Sequence, residues 1–245
     1  MTRTQSRNHT RLARALGGAL IAAAVLSTGA LAAPAEINEP GTAQVWVAHG
    51  IPGAKVDVCV NGDAVRTGFL YGGRFRAEVP AYTPLTVKVR AHDGAGACTG
   101  AVLIRARLSL NAGANVTALA TLRAGEATLV TWSNRTPVAG CGGGDTSVTV
   151  HHEAKAGPML FFWITGGLLP AGLAGIQIPR TASFGPFDVP AGPNIFAATP
   201  FFGATPFVDP TVRVFAELTD YQLILVGTNA ENYRWIRFGN PALFC

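Results

Sequence analysis

Two histidines and two aspartates in the first half of the chain are the side chains whose types could support acid–base chemistry. They are His49, Asp57, His92 and Asp93. A histidine oriented by a carboxylate can act as a general base, so a secreted hydrolase is one interpretation. The sequence has no Gly-x-Ser-x-Gly segment, which would mark a nucleophilic serine. A histidine beside a Pro-Gly turn more often binds backbone groups, so we expect His49, Pro52 and Asp57 to shape a corner rather than to catalyse.

Four cysteines follow the N-terminal segment, and four cysteines allow three pairings. Cys59 alternates out of phase with the valines around it, so its side chain is expected to face away from the core. The Gly-rich loop that ends at Cys98 could cross over it there. We predict Cys59 paired with Cys98 and Cys141 paired with Cys245, one disulfide in each half of the chain. Disulfides of this kind indicate an oxidising compartment.

The segment His151-His152-Glu153 has residue types that bind zinc. Adjacent side chains on a strand point to opposite faces of the sheet, so these two histidines are poorly placed to bind one ion. Neither His-Glu-x-x-His nor Cys-x-x-Cys occurs in the sequence. We therefore predict no metal and no cofactor.

Four basic residues are expected to share one face of a sheet. They are Lys88, Arg90, Arg105 and Arg107. If residues 84–92 and 101–110 are neighbouring strands, the period-two pattern buries their apolar residues and turns these four outward. One interpretation is a solvated face with long side chains covering apolar surface, and the other is a docking strip for an anionic polymer. The corresponding strand of the second half keeps only Arg213.

The elements that carry these residues read as strands throughout. Apolar residues alternate with Lys, Arg, Thr, Asn or Asp in each segment, which is typical of sheets with one buried face. Turn-forming Asn-Gly, Gly-Gly and Asp-Gly pairs separate the segments, and no amphipathic helix is apparent. The sequence therefore predicts an all-β protein with two tandem antiparallel β-sandwich domains, Ig-like or transthyretin-like.

The domain organisation follows from a Gly-rich break and a repeated plan. We predict a signal peptide at residues 1–32, a first sandwich at 43–136, a linker at 137–146 and a second sandwich at 147–245. The second half matches the first in order, with Ser147–His152 corresponding to Gln44–His49 and Phe187–Ala191 to Ala77–Ala81. We interpret the second sandwich as a degenerate duplicate of the first.

Two stretches of the second half allow two interpretations. Residues 159–178 carry no charge and are long enough for a membrane span, but their glycines and Pro170 favour a buried strand followed by an apolar loop. The second half is also rich in phenylalanine between residues 184 and 215. A Phe-rich core is the favoured interpretation, and an exposed patch that binds a partner is the alternative.

The N-terminus has the basic, apolar and small-residue regions of a secretory signal, with cleavage expected after Ala32. An uncleaved membrane anchor is the alternative. Of the 19 Lys and Arg residues, four lie in this segment, which leaves 15 against 14 Asp and Glu. A nearly neutral mature chain gives no basis for nucleic-acid binding.

The corner His49-x-x-Pro52-x-Ala54 and the strand after it, which ends at Asn61-Gly62, resemble a family of secreted and cell-surface bacterial domains. The common pattern of that family runs H-A-S-P-D-A-P-x-V-D-V-Y-V-N-G, and the match covers about residues 43–135. Gly50, Ile51, Gly53 and Cys59 depart from the pattern. The family has no assigned activity, so the resemblance implies a β-sandwich in an extracytoplasmic setting and no reaction. Only His152 of the corner is kept in the second half.

Together these observations predict a secreted or cell-surface protein that binds without turnover. The expected partner is an anionic cell-envelope polymer or another surface protein, and a purely structural module is a further interpretation. The competing class is the secreted hydrolase with its site near His49 and Asp57. Membrane contact is expected only through an uncleaved signal peptide.

Overall fold

The computed structural model describes residues 41–134, 145–165, 175–200, 208–217 and 219–241. All the secondary-structure elements in these ranges are β-strands. All described residues belong to one compact unit, Asn38–Cys245. The expected signal peptide, most of the linker, Cys141 and Cys245 lie outside the described residues. The all-β prediction and the prediction of two successive sandwiches are confirmed.

The first sandwich has eight strands in two four-stranded sheets. The strands are β1 (Thr42–His49), β2 (Lys55–Val60), β3 (Asp63–Leu70), β4 (Arg74–Pro80), β5 (Leu85–Ala91), β6 (Val102–Leu108), β7 (Asn115–Arg123) and β8 (Glu126–Ser133). The order β4-β1-β7-β8 forms what we name the inner sheet, and β3-β2-β5-β6 forms the outer sheet.

The second sandwich repeats this plan. Its strands are β9 (Asp145–His152), β10 (Met159–Thr165), β11 (Ile176–Ile178), β12 (Ser183–Pro190), β13 (Gly192–Pro200), β14 (Val208–Phe215), β15 (Thr219–Val226) and β16 (Arg234–Pro241). The inner sheet has the order β12-β9-β15-β16 and the outer sheet β11-β10-β13-β14. Strand for strand, this is the order of the first sandwich.

One pair of strands in each sandwich departs from the expected antiparallel arrangement. β1 runs parallel to β7, and β9 runs parallel to β15. The first strand of each sandwich thus lies between the fourth and the seventh, whereas the first sheet of a constant-type immunoglobulin domain has the order A-B-E-D. The parallel register also extends the repeat, because it makes Asn115 the counterpart of Asp220.

Alternation explains most of the burial. In β5, Leu85, Val87 and Val89 point into the first sandwich, as the period-two pattern predicted. β15 is different, because every one of its residues is buried. A strand buried on both faces must be covered by a further layer.

The further layer is the inner sheet of the other sandwich. A core between the two inner sheets joins Ala48 and Leu119 of the first sandwich to Ile224, Ile236 and Phe238 of the second. The Trp46 ring lies 5.4 Å from the Phe238 ring across this contact. Arg123 also donates two hydrogen bonds to the buried Glu153 carboxylate, one of them 3.0 Å long. The described chain is therefore a stack of four sheets with the two outer sheets at its ends.

Two of the alternatives left by the sequence can be compared with this fold. Residues 159–165 and 176–178 form strands β10 and β11, and no helix among the described residues is long and apolar enough to span a membrane. Phe196 and Phe215 lie in the core of the second sandwich, and Phe184 and Phe187 pack against it. The Phe-rich core is confirmed for these four, while Phe201, Phe202 and Phe207 lie outside the described residues.

Candidate functional site

The outer sheet of the first sandwich carries a loop that is fixed to its solvent side by a disulfide. Cys59 of β2 faces away from the core and bonds Cys98, with the two Cα atoms 6.2 Å apart. Cys59 is only 1% exposed because the loop between β5 and β6 covers it. The predicted pairing of Cys59 with Cys98 is confirmed. The expected direction of the Cys59 side chain, away from the core, is confirmed as well.

Asp57 lies under the same loop and is completely buried. Its carboxylate accepts hydrogen bonds from the Gly68 N–H at 2.8 Å and the Cys98 N–H at 3.2 Å. The Nδ1 atom of His92 lies 2.8 Å from the same carboxylate. Burial by itself raises the pKa of Asp57. These hydrogen bonds and the neighbouring His92 together lower the pKa by more than burial raises it, so it falls below its usual value.

The loop is also held internally. Asp93 accepts hydrogen bonds from the Ala95 N–H at 3.0 Å and the Thr99 hydroxyl at 2.9 Å, and these bonds lower the pKa of Asp93. Arg90 donates to the Gly100 carbonyl at 2.6 Å. Asp57 and Asp93 therefore hold the same loop through two separate sets of hydrogen bonds, and His92 contacts Asp57 alone of these two carboxylates.

His49 belongs to a different part of the sandwich. It is buried at the end of β1, its Nε2 lies 3.0 Å from the Ala54 carbonyl, and its Nδ1 accepts from the Ile51 N–H at 3.4 Å. This pattern spans the corner that contains Pro52, and burial lowers the pKa of His49. His152 has the same geometry in the second sandwich, with Nε2 2.9 Å from the Gly157 carbonyl. Neither the hydrogen bonds nor the ring contacts of the described residues join His49 to Asp57 or His92.

The three residues of the possible zinc motif point in different directions. His151 binds the Ser183 hydroxyl at 2.6 Å and the Gln222 side chain at 2.7 Å, and its ring lies 4.2 Å from the Trp132 ring. Glu153 pairs with Arg123 across the contact between the inner sheets. Within the described part of the chain, no three metal-binding side chains converge.

The four predicted basic residues do lie on one face, the solvent side of the first outer sheet. Lys88 is the direct cross-strand neighbour of Arg105, and Arg107 is the neighbour of Thr86. Arg105 and Arg107 are exposed, and Lys88 is half-buried. Arg90 differs from the others because it is bonded to the loop. We name Lys88, Arg105 and Arg107 the basic strip.

In the part of the chain that the structure describes, no ion pair joins an acidic side chain to the basic strip. The ion pairs among the described residues are His92 with Asp57 and Arg123 with Glu153, and neither includes a residue of the strip. Asp57 lies on the strip's face of the sheet, but its hydrogen-bond partners are Gly68 of β3 and residues of the loop. The strip therefore presents positive charge to solvent.

A second group of arginines was not predicted from the sequence. Arg74 of β4, Arg213 of β14 and Arg237 of β16 border a cavity of about 210 Å³ together with Trp235. Burial lowers the pKa of Arg74, and the charges of Arg237 and Arg213 add to that effect. These residues are far apart in the sequence and come together only because the inner sheets pack, so no local pattern could have revealed them.

A cavity inside the first sandwich was also not predicted. Its volume is about 320 Å³, and its walls are mainly Val, Ala and Leu side chains from both sheets. Several exposed residues border it at the end of the sandwich where the turn between β2 and β3 lies, among them Asn61, Asp63 and Glu78. The alternation of apolar residues shows which side chains face inward but not whether they fill the space.

Comparison with known proteins adds no identity, because no family model and no curated protein sequence matches the chain. The resemblance of residues 43–135 to secreted domains of unassigned activity therefore stays a prediction.

Proposed function

We propose that this protein is an exported, non-catalytic binding protein whose basic strip docks on an anionic polymer of the cell envelope. The observation that carries the proposal is the unneutralised charge of Lys88, Arg105 and Arg107 on the solvent side of an outer sheet. Like charges on neighbouring strands are mutually unfavourable by some tenths of a kcal/mol per pair. A bound polyanion would remove that repulsion.

The geometry suits a polymer better than a small anion. The strip residues lie on a strand surface with their side chains pointing outward, and they line neither of the two cavities described above. Long flexible cations on an open sheet can contact successive phosphates or carboxylates along a chain. Such binding is expected to be weak and sensitive to salt, because exposed charges are screened over about 8 Å at physiological ionic strength.

Export is part of the proposal. The disulfide between Cys59 and Cys98 is compatible with an extracytoplasmic protein, because such bonds persist in oxidising compartments. The signal-like N-terminal segment and the resemblance to secreted domains favour the same setting. We infer that the mature protein folds and acts outside the cytoplasm.

The test is a matched pair of double variants. Arg105→Gln with Arg107→Gln should weaken binding to immobilised polyphosphate roughly 2- to 30-fold, since an exposed ion pair contributes about 0.2–1 kcal/mol. Lys155→Gln with Arg213→Gln removes the same charge from exposed positions of the second sandwich and should leave binding unchanged. Binding is measured in a series of salt concentrations. An unaffected strip variant, or a loss confined to the control variant, would contradict the proposal.

A hydrolase is the second candidate, and the contact between Asp57 and His92 is the observation that favours it. A buried carboxylate that orients a partly exposed histidine is half of a nucleophile-activating arrangement. Generic ester, peptide and glycoside substrates should be incubated with the mature protein and with His92→Ala. Turnover that is abolished by His92→Ala would establish this candidate in place of the binding protein.

A further inference from the structure

The first sandwich contains a large apolar cavity at positions where the second carries larger side chains. A smaller cavity of about 210 Å³ borders Phe196, Leu223 and Trp235 of the second sandwich, and arginines complete its lining. The cavity of about 320 Å³ lies between the two sheets of the first sandwich. In the second sandwich, the ring of the fully buried Phe161 occupies the centre of the core. It lies 5.6 Å from the Phe196 ring, 6.1 Å from the Trp235 ring and 6.2 Å from the Phe187 ring.

The corners at His49 and His152 fix how the two sandwiches correspond. Each histidine contacts the carbonyl five residues further along the chain, and the next strand starts just after that carbonyl. Counting on from the two histidines without a gap, Val58 corresponds to Phe161. The pairing of β1 with β4 and of β9 with β12 likewise makes Ala77 the counterpart of Phe187.

The same strand pairings give the counterparts of other residues that line the cavity, and six positions carry a larger side chain in the second sandwich. Val45, Val47 and Val79 have valine counterparts, and Val89 corresponds to the smaller Ala198. The six pairs are Val58 and Phe161, Ala77 and Phe187, Val87 and Phe196, Ala118 and Leu223, Ala120 and Leu225, and Leu129 and Trp235. The fold is therefore compatible with a filled core at these positions. The cavity is a property of the small side chains of the first sandwich and not of its strand order.

The walls of the cavity determine what it could hold. An apolar cavity of about 150 Å³ stays dry and binds benzene, and this one has about twice that volume. Its lining offers few hydrogen-bonding groups, so a polar ligand would lose its contacts with water without replacement. The exposed residues at its open end include Asp63 and Glu78. Their negative charges disfavour an anionic group there.

We propose that the first sandwich binds a single aliphatic chain in this cavity, with an uncharged or cationic head group at the end near Asp63 and Glu78. The bound chain takes the place that Phe161, Phe187 and Phe196 occupy in the second sandwich. This site is separate from the basic strip, which lies on the opposite, solvent side of the outer sheet.

Decanol, decylamine and decanoate test the proposal by displacement of a fluorescent naphthylamine probe. Decanol and decylamine should bind the wild-type protein, and decanoate should bind at least about ten-fold more weakly because of the two carboxylates. Equal binding of decanoate would overturn the assignment of the head group. Absence of decanol binding would overturn the site itself.

Ala77→Phe and Val58→Phe introduce the side chains of the second sandwich and should each weaken decanol binding at least about ten-fold. Ala64→Phe is the matched control, because Ala64 is exposed on β3 and does not line the cavity. Folding is checked by cooperative unfolding. Folded Ala77→Phe or Val58→Phe protein that binds decanol as the wild type does would overturn the proposal.

A measurement on the unaltered protein decides the matter even if both variants fail to fold. Methyl resonances of Val58 and Val87 should shift when decanol is added, while those of Leu223 and Leu225 should stay in place. Shifts confined to the second sandwich, or no shifts at saturating decanol, would overturn the proposal.

Discussion

Asp57 is kept as a carboxylate by the loop that covers it. Two backbone N–H groups donate hydrogen bonds to its carboxylate, and the His92 ring contacts the same group. The Asp57 side chain has no access to water. Removing the charge leaves these donors without their preferred acceptor. The cost of an unsatisfied buried donor is roughly 1–3 kcal/mol.

We therefore expect Asp57→Asn to lower the free energy of unfolding by about 1–3 kcal/mol at neutral pH. The pKa of Asp57 is lowered in the folded state, so its stabilising contribution is present above its unfolded pKa of about 3.9 and is lost as the pH falls through the folded value. The difference in the free energy of unfolding between the wild type and the variant should become smaller in that acidic range. Denaturant unfolding as a function of pH measures it, with the exposed Asp188→Asn as control.

The disulfide above Asp57 makes a second contribution at the residue scale. The sequence separation of Cys59 and Cys98 is 39, for which the chain-entropy relation gives about 4 kcal/mol. The double variant Cys59→Ser and Cys98→Ser should lose roughly 2–5 kcal/mol of stability. Thermal unfolding with and without reductant provides the comparison, because reductant should lower the stability of the wild type and leave the double variant unchanged.

The sequence allowed the prediction of this disulfide but not of the network beneath it. Cys59 alternates with valines that must face the core, so its outward direction follows from the period of a strand. The contact between Asp57 and His92 depends on how the loop folds back over the sheet, and no local pattern encodes that path. The sequence also suggested a hydrolase site that combines His49 with Asp57. In the structure, the hydrogen bonds of His49 run to its own corner and not to Asp57.

At the scale of elements, the two sandwiches should respond differently to the loss of side-chain volume. Phe161→Ala should cost roughly 3–5 kcal/mol, since it opens a cavity in a filled core. Val58→Ala at the corresponding position should cost about 1.6 kcal/mol, at about 0.8 kcal/mol per buried CH₂, because its side chain already borders empty space. Denaturant unfolding of both variants measures the difference. Equal costs would contradict the difference in packing between these two positions.

Most strands could be predicted from the sequence because one face of each is exposed to solvent, which makes apolar and polar residues alternate. Strands β7 and β15 show why this approach has a limit. Alternation in β7 pointed to one buried face, yet both β7 and β15 are buried almost throughout because the other inner sheet covers them. Their parallel pairing with β1 and β9 was also missed, since pairing of strands far apart in the chain leaves no local signal.

At the scale of the whole molecule, the core between the inner sheets should couple the unfolding of the two sandwiches. Phe238 is 1% exposed at this contact, and Phe238→Ala should cost roughly 3–5 kcal/mol. The exposed Val214→Ala serves as control and should stay within about 0.5 kcal/mol of the wild type. Calorimetry should show one transition in the wild type and two in Phe238→Ala. Two transitions in the wild type, or a single transition in the folded variant, would contradict the assignment of the coupling to this core.

The parallel pairing of β1 with β7 determines the order in which a chain that folds from its N-terminus can complete its sheets. β1 is synthesised early but cannot complete its sheet until Asn115–Arg123 has followed. Even then, the surface formed by Trp46, Ala48 and Leu119 waits uncovered until Ile236 and Phe238, near the end of the chain, arrive. During that interval the partly folded protein exposes an apolar surface, so this stage of folding is the one most prone to aggregation.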